Sequence, residues 1–255
     1  MIRVGVIGAA GKMGSTVCDA IVAADGLELA AAVDLVGSGG SVHGLTIAAD
    51  LKALADAKCD VVVDFTLPEV SPKVAEFAIK NDLKVVIGTS GWSEIHLAQL
   101  SKLLAEHPSA AAIVIPNFSI GSMLAQQFAV QAAKYFDSIE IVEAHHAGKV
   151  DSPSGTAVRT AEQISAARKG MVQPLIPGVN QPARGQVVAG VPIHSLRLQG
   201  VSAKQDVIFG ASNEVLTISH EVSSHHAYAE GIRLCIGFAQ NAKGLTVGLD
   251  QVVAG

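Results

Sequence analysis

The sequence predicts an α/β protein that combines a Rossmann-like, doubly wound parallel sheet with a second α+β domain carrying a mostly antiparallel sheet. Three observations support this prediction. The first half alternates short β-branched runs with helical stretches, a pattern typical of parallel strands covered by helices. A glycine-rich turn begins at Gly8, directly after the first run. After Phe118, three apolar runs follow one another without a helix between them, which indicates an antiparallel meander.

The elements of the first half follow in order. Five runs are predicted as strands: residues 2–7, 29–33, 61–63, 85–87 and 111–115. Three helices are predicted between them: residues 12–23, 68–80 and 93–105. Because right-handed crossovers stack such units into one sheet, residues 1–118 are predicted to form a dinucleotide-binding domain.

The second half begins with different elements and ends with a return. We expect a helix over 119–136, a strand over 138–144, a helix over 156–168 and a connector over 170–190. The meander comprises 193–198, 206–209 and 215–220, and a helix over 227–240 and a run over 245–249 follow it. We therefore expect a substrate-binding and oligomerisation domain over 119–227, with residues from about 228 to 255 returning to the first domain.

Composition limits the class of protein. Of the 255 residues, 49% are hydrophobic and 16% charged, so a folded core is expected rather than disorder. A formal charge of -5 offers no basic excess for nucleic acid, and the longest uncharged stretch is too polar for a bilayer. Cys18, Cys59 and Cys235 lie far apart, as expected for reduced thiols in the cytoplasm.

The turn Gly8–Gly14 has a GxxGxxG spacing and leads into a helix. Glycines allow backbone N–H groups to approach a pyrophosphate, and the helix N-terminus adds partial positive charge. Asp34 ends the second predicted strand twenty residues after Gly14, where a carboxylate can bind ribose hydroxyls. Alternatively, Asp34 is a turn residue and Lys12 a solvated side chain.

Three further segments follow predicted parallel strands: Asp64 to Thr66, Gly88 to Gly91 and Pro116 to Ser119. Ligands of open α/β sheets bind at this edge, so these segments are candidates for a nicotinamide pocket. Loops that follow such strands have this composition in any case, and both interpretations stay open.

The densest polar cluster runs from Glu143 to Ala157. His145 and His146 are neighbours on a predicted strand and point to opposite faces, so a shared metal ion is not favoured. Ser154 can cap the next helix, whose first N–H groups then form an anion pocket. With Lys149 and a histidine nearby, the segment offers carboxylate recognition and proton donation. The alternative is an ordinary capped helix with solvated side chains.

These motifs together resemble the dihydrodipicolinate reductase family. The resemblance rests on EAHHAGKVDSPSGTA at Glu143, VGVIGAAGKMG at Val4, DFT at Asp64, GTSGW at Gly88 and PNFSIG at Pro116. It covers nearly the whole chain in order. It implies reduction of 4-hydroxy-tetrahydrodipicolinate to tetrahydrodipicolinate by NADH or NADPH in lysine and diaminopimelate biosynthesis.

The resemblance also implies roles for individual residues. His145 matches the family's proton donor and acceptor, and Lys149 its second proton donor. The positions that match substrate contacts are His146, Ser154, Gly155 and Thr156. The positions that match the coenzyme site are Gly8, Ala9, Ala10, Gly11, Lys12, Met13, Asp34, Gly88, Thr89, Ser90, Ile115, Pro116, Asn117 and Phe118. No metal is implied.

The chain departs from the family pattern at two places. Gly148 stands where many relatives carry a further histidine, and His225 and Tyr228 stand where relatives carry arginine and phenylalanine. Family members are usually homotetramers built through the sheet of the second domain, and we expect the same here because alternating residues such as Val207 and Phe209 would expose apolar surface.

The sequence also allows two other functions. A non-catalytic dinucleotide sensor would explain the glycine turn but would leave His145, Lys149 and Ser154 without a purpose. A different two-domain dehydrogenase, acting on an amino acid or a semialdehyde, would share the first domain.

Overall fold

The computed structural model describes residues 1–174 and 181–254. The chain divides into two compact units, the first comprising Met1–Ile120 and His225–Gly255, the second Gly121–Ser224. Part of the predicted connector, residues 175–180, lies outside the described residues. No helix in the described portion is long and apolar enough to cross a bilayer.

The described elements are as follows. The strands are β1 (Ile2–Ile7), β2 (Leu27–Val33), β3 (Ser41–Val42), β4 (Leu45–Thr46), β5 (Val61–Asp64), β6 (Lys84–Ile87), β7 (Ala111–Val114), β8 (Ser138–His146), β9 (Gln186–Val188), β10 (Val191–Leu198), β11 (Ala203–Ala211), β12 (Glu214–Val222) and β13 (Gly244–Val247). The helices are α1 (Lys12–Val22), α2 (Lys52–Asp56), α3 (Ser71–Lys80), α4 (Glu94–Glu106), α5 (Ile120–Ala132), α6 (Gly155–Ala167), α7 (Ala229–Asn241) and α8 (Leu249–Ala254).

The first unit is built on a parallel sheet in the order β13-β7-β6-β5-β1-β2. Each central strand is short and apolar, and β5 is buried along its whole length, because helices cover both faces. The strand order changes direction at β1: β2 lies on one side of it, and β5, β6 and β7 lie on the other. Ligands of such sheets bind in the crevice at the carboxyl ends of the strands beside this point. The Rossmann-like prediction is confirmed.

The C-terminal segment joins this sheet, where β13 pairs in parallel with β7. Four elements of this unit were missed: β3, β4, α2 and α8. The two strands have two residues each, too few to show an alternating pattern, and the two helices have five and six residues.

The second unit is a mixed sheet in the order β12-β11-β8-β10-β9, accompanied by α5 and α6. Its core packs Ile139 and Ile141 of β8 against Val207 and Phe209 of β11 and against Ile164 of α6. Alternate residues of each strand face this core, so the opposite face of the sheet is open to solvent.

The predicted meander is wrong in one respect. Segment 206–209 does pair antiparallel with 215–220, as β11 and β12, but β10 does not pair with β11. β8 lies between them, antiparallel to β11 and parallel to β10. The physical reason is that Ile139 and Ile141 are fully buried, and a central strand needs ladder partners on both edges.

Candidate active site

The glycine turn of the first unit joins β1 to α1 with little space for side chains. Gly8 has a φ of +81°, and a Cβ at this position would collide with the Phe65 carbonyl. A Cβ on Gly14 would collide with the Gly8 carbonyl oxygen. Glycine is therefore required at both positions, so the backbone at this turn is open for close approach by a ligand.

The N-terminus of α1 is suited to an anion. Within the described chain, Gly11 caps this helix without a side-chain hydrogen bond, and its first turn holds no acidic residue. The first N–H groups of the helix are thus without side-chain acceptors, and the helix dipole adds partial positive charge. Lys12 is exposed and Met13 is half-buried at this end of the helix.

Asp34 follows β2 and organises the loop beside the glycine turn. Its carboxylate accepts hydrogen bonds from the backbone N–H groups of Ala10 (3.1 Å), Val36 (2.9 Å) and Gly37 (3.1 Å). Ala9, in the glycine turn, is buried. These bonds fix Asp34 in its loop at the carboxyl edge of the sheet.

The remaining predicted coenzyme positions follow β6 and β7 at the same edge. Gly88 lies against the Phe65 ring, where a Cβ would collide, and the rings of Phe65 and Phe118 are 5.5 Å apart. Thr89 and Ile115 are buried, whereas Ser90 and Pro116 are exposed. The other two positions, Asn117 and Phe118, lie in the loop after β7. There Asn117 accepts a hydrogen bond from the Ser119 N–H (2.9 Å).

Asp64 does not line this edge, although its segment was a candidate for the nicotinamide pocket. Its carboxylate is fully buried and bonds to Thr66 (Oγ1, 2.7 Å) and to the Ser71 hydroxyl. Trp92 in turn donates from Nε1 to Ser71 (3.1 Å). Asp64 thus fixes the loop after β5 through hydrogen bonds instead of facing a ligand.

The second unit contains a buried charged group, here called the inner cluster: Glu143, His145 and Arg197. Glu143 is fully buried on the core face of β8. Arg197 of β10 donates two hydrogen bonds to its carboxylate, at 2.9 and 3.0 Å, and His145 contacts the same carboxylate through Nδ1 at 2.5 Å. Five polar atoms therefore meet in a space that excludes most solvent: two carboxylate oxygens, two guanidinium nitrogens and one imidazole nitrogen.

These contacts shift the pKa values of Glu143 and His145. Burial alone would raise the pKa of Glu143, but hydrogen bonds from Arg197, Ser195 and His145 outweigh it and hold that pKa below its ordinary value. Burial lowers the pKa of His145; Glu143 opposes the shift, while Lys149 adds to it. At neutral pH the cluster thus contains an ionised carboxylate next to a neutral imidazole.

Lys149 lies just beyond β8, in the loop that leads to α6. Its ammonium is 2.6 Å from the Asp151 carboxylate. Hydrogen bonds from Lys149 and from the backbone N–H groups of Asp151 and Gly155 hold the pKa of Asp151 below its ordinary value. The Asp151 carboxylate thus binds both the Lys149 ammonium and the first N–H of α6.

The start of α6 confirms the predicted cap. Ser154 accepts a hydrogen bond from the Ala157 N–H through Oγ (3.3 Å), and its own N–H donates to Glu143 (3.2 Å). The first turn of α6 holds no acidic residue within the described chain. Gly155 is exposed and Thr156 half-buried. The helix N-terminus is therefore anchored to the inner cluster and is suited to a carboxylate.

His146 is the one predicted substrate contact that lies away from both the inner cluster and the start of α6. It is exposed at the end of β8, on the opposite side of the strand from His145. Two members of the inner cluster carried no role in the sequence interpretation, Glu143 and Arg197. Each is a charged residue at a position whose parity along the strand matches buried apolar residues, and this is the signal that could have found them.

Neither the cysteines nor a cluster of metal-binding side chains forms a second reactive centre in the part of the chain that the structure describes. Burial raises the pKa of Cys18 and Cys235 to about 12 and that of Cys59 to about 11, so these thiols are unreactive. No group of three potential metal ligands occurs among residues 1–174 and 181–254.

Comparisons with known proteins give one consistent result. The family model described as dihydrodipicolinate reductase, N-terminus, matches residues 2–118, and the model described as its C-terminus matches residues 121–253. A 4-hydroxy-tetrahydrodipicolinate reductase from Clavibacter sepedonicus is 46% identical over 98% of this chain and 85% of its own length.

Two further relatives cover nearly their full length. The reductase of the same name from Mycobacterium sp. (strain KMS) is 41% identical over 98% of both chains. The dipicolinate-bound dihydrodipicolinate reductase from Paenisporosarcina sp. TG-14 superposes with a TM-score of 0.85 at 31% identity, covering 98% of this chain and 99% of that one.

Proposed function

Because the chain belongs to the dihydrodipicolinate reductase family, we propose that it reduces 4-hydroxy-tetrahydrodipicolinate to tetrahydrodipicolinate, with NADH or NADPH as reductant and loss of water. The reaction adds one hydride and one proton to the substrate, and one water leaves. The observation that carries the proposal is that buried Glu143 contacts both His145 and the α6 N-terminus within the second unit, while Lys149 is bound by Asp151 in the loop between them.

The first unit binds the coenzyme, which supplies the hydride. The glycine turn fits a pyrophosphate because side chains are excluded from Gly8 and Gly14 and because the α1 N-terminus has N–H groups to donate. Asp34 accepts hydrogen bonds from the adenosine ribose hydroxyls. The loops that begin at Gly88 and Pro116 surround the nicotinamide.

Coenzyme selectivity follows from the charge near Asp34. The carboxylate repels a 2′-phosphate, and exposed Lys12 offsets part of that repulsion. We expect both coenzymes to be used, with NADH at least as good as NADPH. Comparison of kcat/KM for the two coenzymes checks this; a tenfold preference for NADPH, about 1.4 kcal/mol, would contradict the role of Asp34.

The substrate carboxylates bind to Lys149 and to the first turn of α6. The contacts of Asp151 support this assignment, because its carboxylate already binds the Lys149 ammonium and the Gly155 N–H. Ser154 holds the turn in place, Gly155 and Thr156 donate to a substrate carboxylate, and His146 contacts substrate from the end of β8. A substrate carboxylate at this site replaces Asp151 as the partner of the ammonium.

His145 donates the proton that neutralises the charge created when hydride is added, and Lys149 is the second donor. Lys149→Met should therefore lower kcat and also raise KM, because the ammonium acts both in binding and in proton supply. Steady-state kinetics with NADH measure both effects. A rise in KM alone would limit Lys149 to binding.

The assembly is proposed to be a homotetramer that forms through the second unit. The expectation that Val207 and Phe209 expose apolar surface is wrong, because both are buried in the core of the unit. The opposite face of the same sheet supports the proposal instead: Leu196, Leu198 and Val215 are 45%, 48% and 72% exposed. Light scattering that gives a monomer at micromolar concentration would contradict it.

We place this reductase in the cytoplasm, in keeping with three reduced, buried thiols and a soluble dicarboxylate substrate. The function is tested by NADH oxidation with freshly prepared 4-hydroxy-tetrahydrodipicolinate. Oxidation should require this substrate. Binding of NADH without turnover would favour a dinucleotide sensor, and turnover only with an amino acid or semialdehyde would favour a different dehydrogenase.

A further inference from the structure

The inner cluster contains two charged residues to which the proposed reaction gives no role. We propose that Glu143 and Arg197 are positioning residues: Glu143 fixes the tautomer of His145, and Arg197 holds both Glu143 and the loop that carries Lys149. This inference rests on the proposed function, because it concerns how that reaction's proton donor is prepared.

The tautomer follows from the contact between Glu143 and His145. Nδ1 of the imidazole lies 2.5 Å from Oε2 of the carboxylate. An ionised carboxylate can only accept hydrogen bonds, so Nδ1 must carry the hydrogen. The neutral ring then has its lone pair at Nε2, and protonation places the transferable proton there. Glu143 thereby decides which nitrogen of His145 faces the reaction.

Arg197 contributes at two places. Its two hydrogen bonds to Glu143 stabilise the ionised form of a carboxylate that is fully buried. The same guanidinium donates from Nη2 to the Asp151 carbonyl oxygen at 2.6 Å. Since Asp151 lies two residues after Lys149, this bond fixes the loop on which the second proton donor stands.

Glu143 also reaches the carboxylate-binding turn. Its Oε1 accepts a hydrogen bond from the Ser154 N–H at 3.2 Å, and Ser154 caps α6. One buried carboxylate thus contacts the strand end with His145, the arginine that holds the Lys149 loop, and the start of α6. A residue that served folding alone would not need contacts to all three reactive segments.

The chain supplies a matched control on the same strand. Glu140 also contacts an arginine and a histidine, Arg184 and His194, and its side chain is 31% exposed in the single chain, on the face of the sheet opposite the core. Glu140→Gln therefore removes the same type of charge from the same strand without touching the inner cluster. The test compares Glu143→Gln with Glu140→Gln.

We expect Glu143→Gln to lower kcat at least tenfold, whereas Glu140→Gln keeps wild-type kcat and NADH affinity is unchanged in both. The charged groups facing His145 are Glu143, Lys149 and Arg197. Loss of the carboxylate removes the one contact among them that favours the imidazolium. The decline of kcat/KM with rising pH should therefore move to lower pH in Glu143→Gln and stay in place in Glu140→Gln.

Nitrogen-15 NMR of labelled histidines in the wild-type protein tests the tautomer without relying on the folding of Glu143→Gln. His145 is assigned by the signal missing from His145→Gln, and the wild type should show an Nδ1–H ring. An Nε2–H ring would overturn the proposal, as would a stably folded Glu143→Gln with wild-type kcat and pH profile. Failure of the wild type to turn over the substrate would instead overturn the proposed function, because the NMR measurement requires no substrate.

Discussion

Strand β8 carries the same chemistry on its two faces with different consequences. The outer cluster, Glu140 with Arg184 and His194, lies on the face opposite the core, and its three side chains are 31%, 37% and 24% exposed in the single chain. The inner cluster faces the core, where Glu143 has no exposed surface. Both contain one carboxylate, one guanidinium and one imidazole, so composition does not distinguish them.

The difference teaches that burial, not residue type, gives the inner cluster its fixed geometry. In water the attraction between two unit charges at 4 Å is about 1 kcal/mol, and long side chains lose entropy when they pair. In the core the carboxylate is out of reach of water, so its hydrogen bonds must come from the protein, among them those from Arg197, His145 and the Ser154 N–H. Those bonds orient His145.

The largest effect should separate the two histidines. His145→Gln is expected to reduce kcat by roughly 10² to 10⁴, the usual contribution of a general acid, while NADH affinity is unchanged because the first unit binds the coenzyme. His194→Gln should leave kcat unchanged. Stopped-flow and equilibrium binding measure these quantities. If NADH binding collapsed in His145→Gln and kcat survived, the proton role would be wrong.

The next effect concerns the two arginines. Arg197→Met leaves a buried carboxylate without its counter-ion and should lower the free energy of unfolding by about 3–5 kcal/mol. Arg184→Met breaks a surface pair and should cost less than about 1 kcal/mol. Urea denaturation of both variants gives the comparison. Equal losses would show that burial does not distinguish the clusters.

A smaller effect should appear in the acid dependence of stability. The folded pKa of Glu143 lies below 4.5, so its stabilisation is complete above that value and is lost as pH falls through the folded pKa. His145, with a pKa lowered from 6.5, adds a loss below pH 6.5. Urea unfolding at decreasing pH should show a weaker acid loss in Glu143→Gln than in Glu140→Gln.

The smallest effect tests whether binding is separable from the inner cluster. Thr156→Val trims one carboxylate contact at the start of α6 without touching His145. It should raise KM about fivefold, the value of one hydrogen bond of about 1 kcal/mol, and leave kcat close to wild type. A large fall in kcat would show that Thr156 also positions the proton donor.

Local patterns in the sequence carried most of what could be predicted. The turn Gly8–Gly14 and Asp34 were predictable because they are close in sequence and the strands and helix between them have clear hydrophobic periodicity. The cap at Ser154 was predictable because this residue directly precedes its helix. Arg197 pairs with Glu143 across 54 residues, and no local period reveals such a partner. The same limit explains the wrong meander, since the insertion of β8 between β10 and β11 is set by long-range packing.

The parallel pairing of β8 with β10 has a consequence for the order in which the protein assembles. The contact between Glu143 and Arg197 closes a loop of 54 residues, and the entropy of that closure is lost before the ion pair forms. Long-range strand pairing of this kind is slow compared with the local formation of α1 or α6. During refolding, helical signal should therefore return before the site is complete, and activity should be regained only when β10 has found its place beside β8.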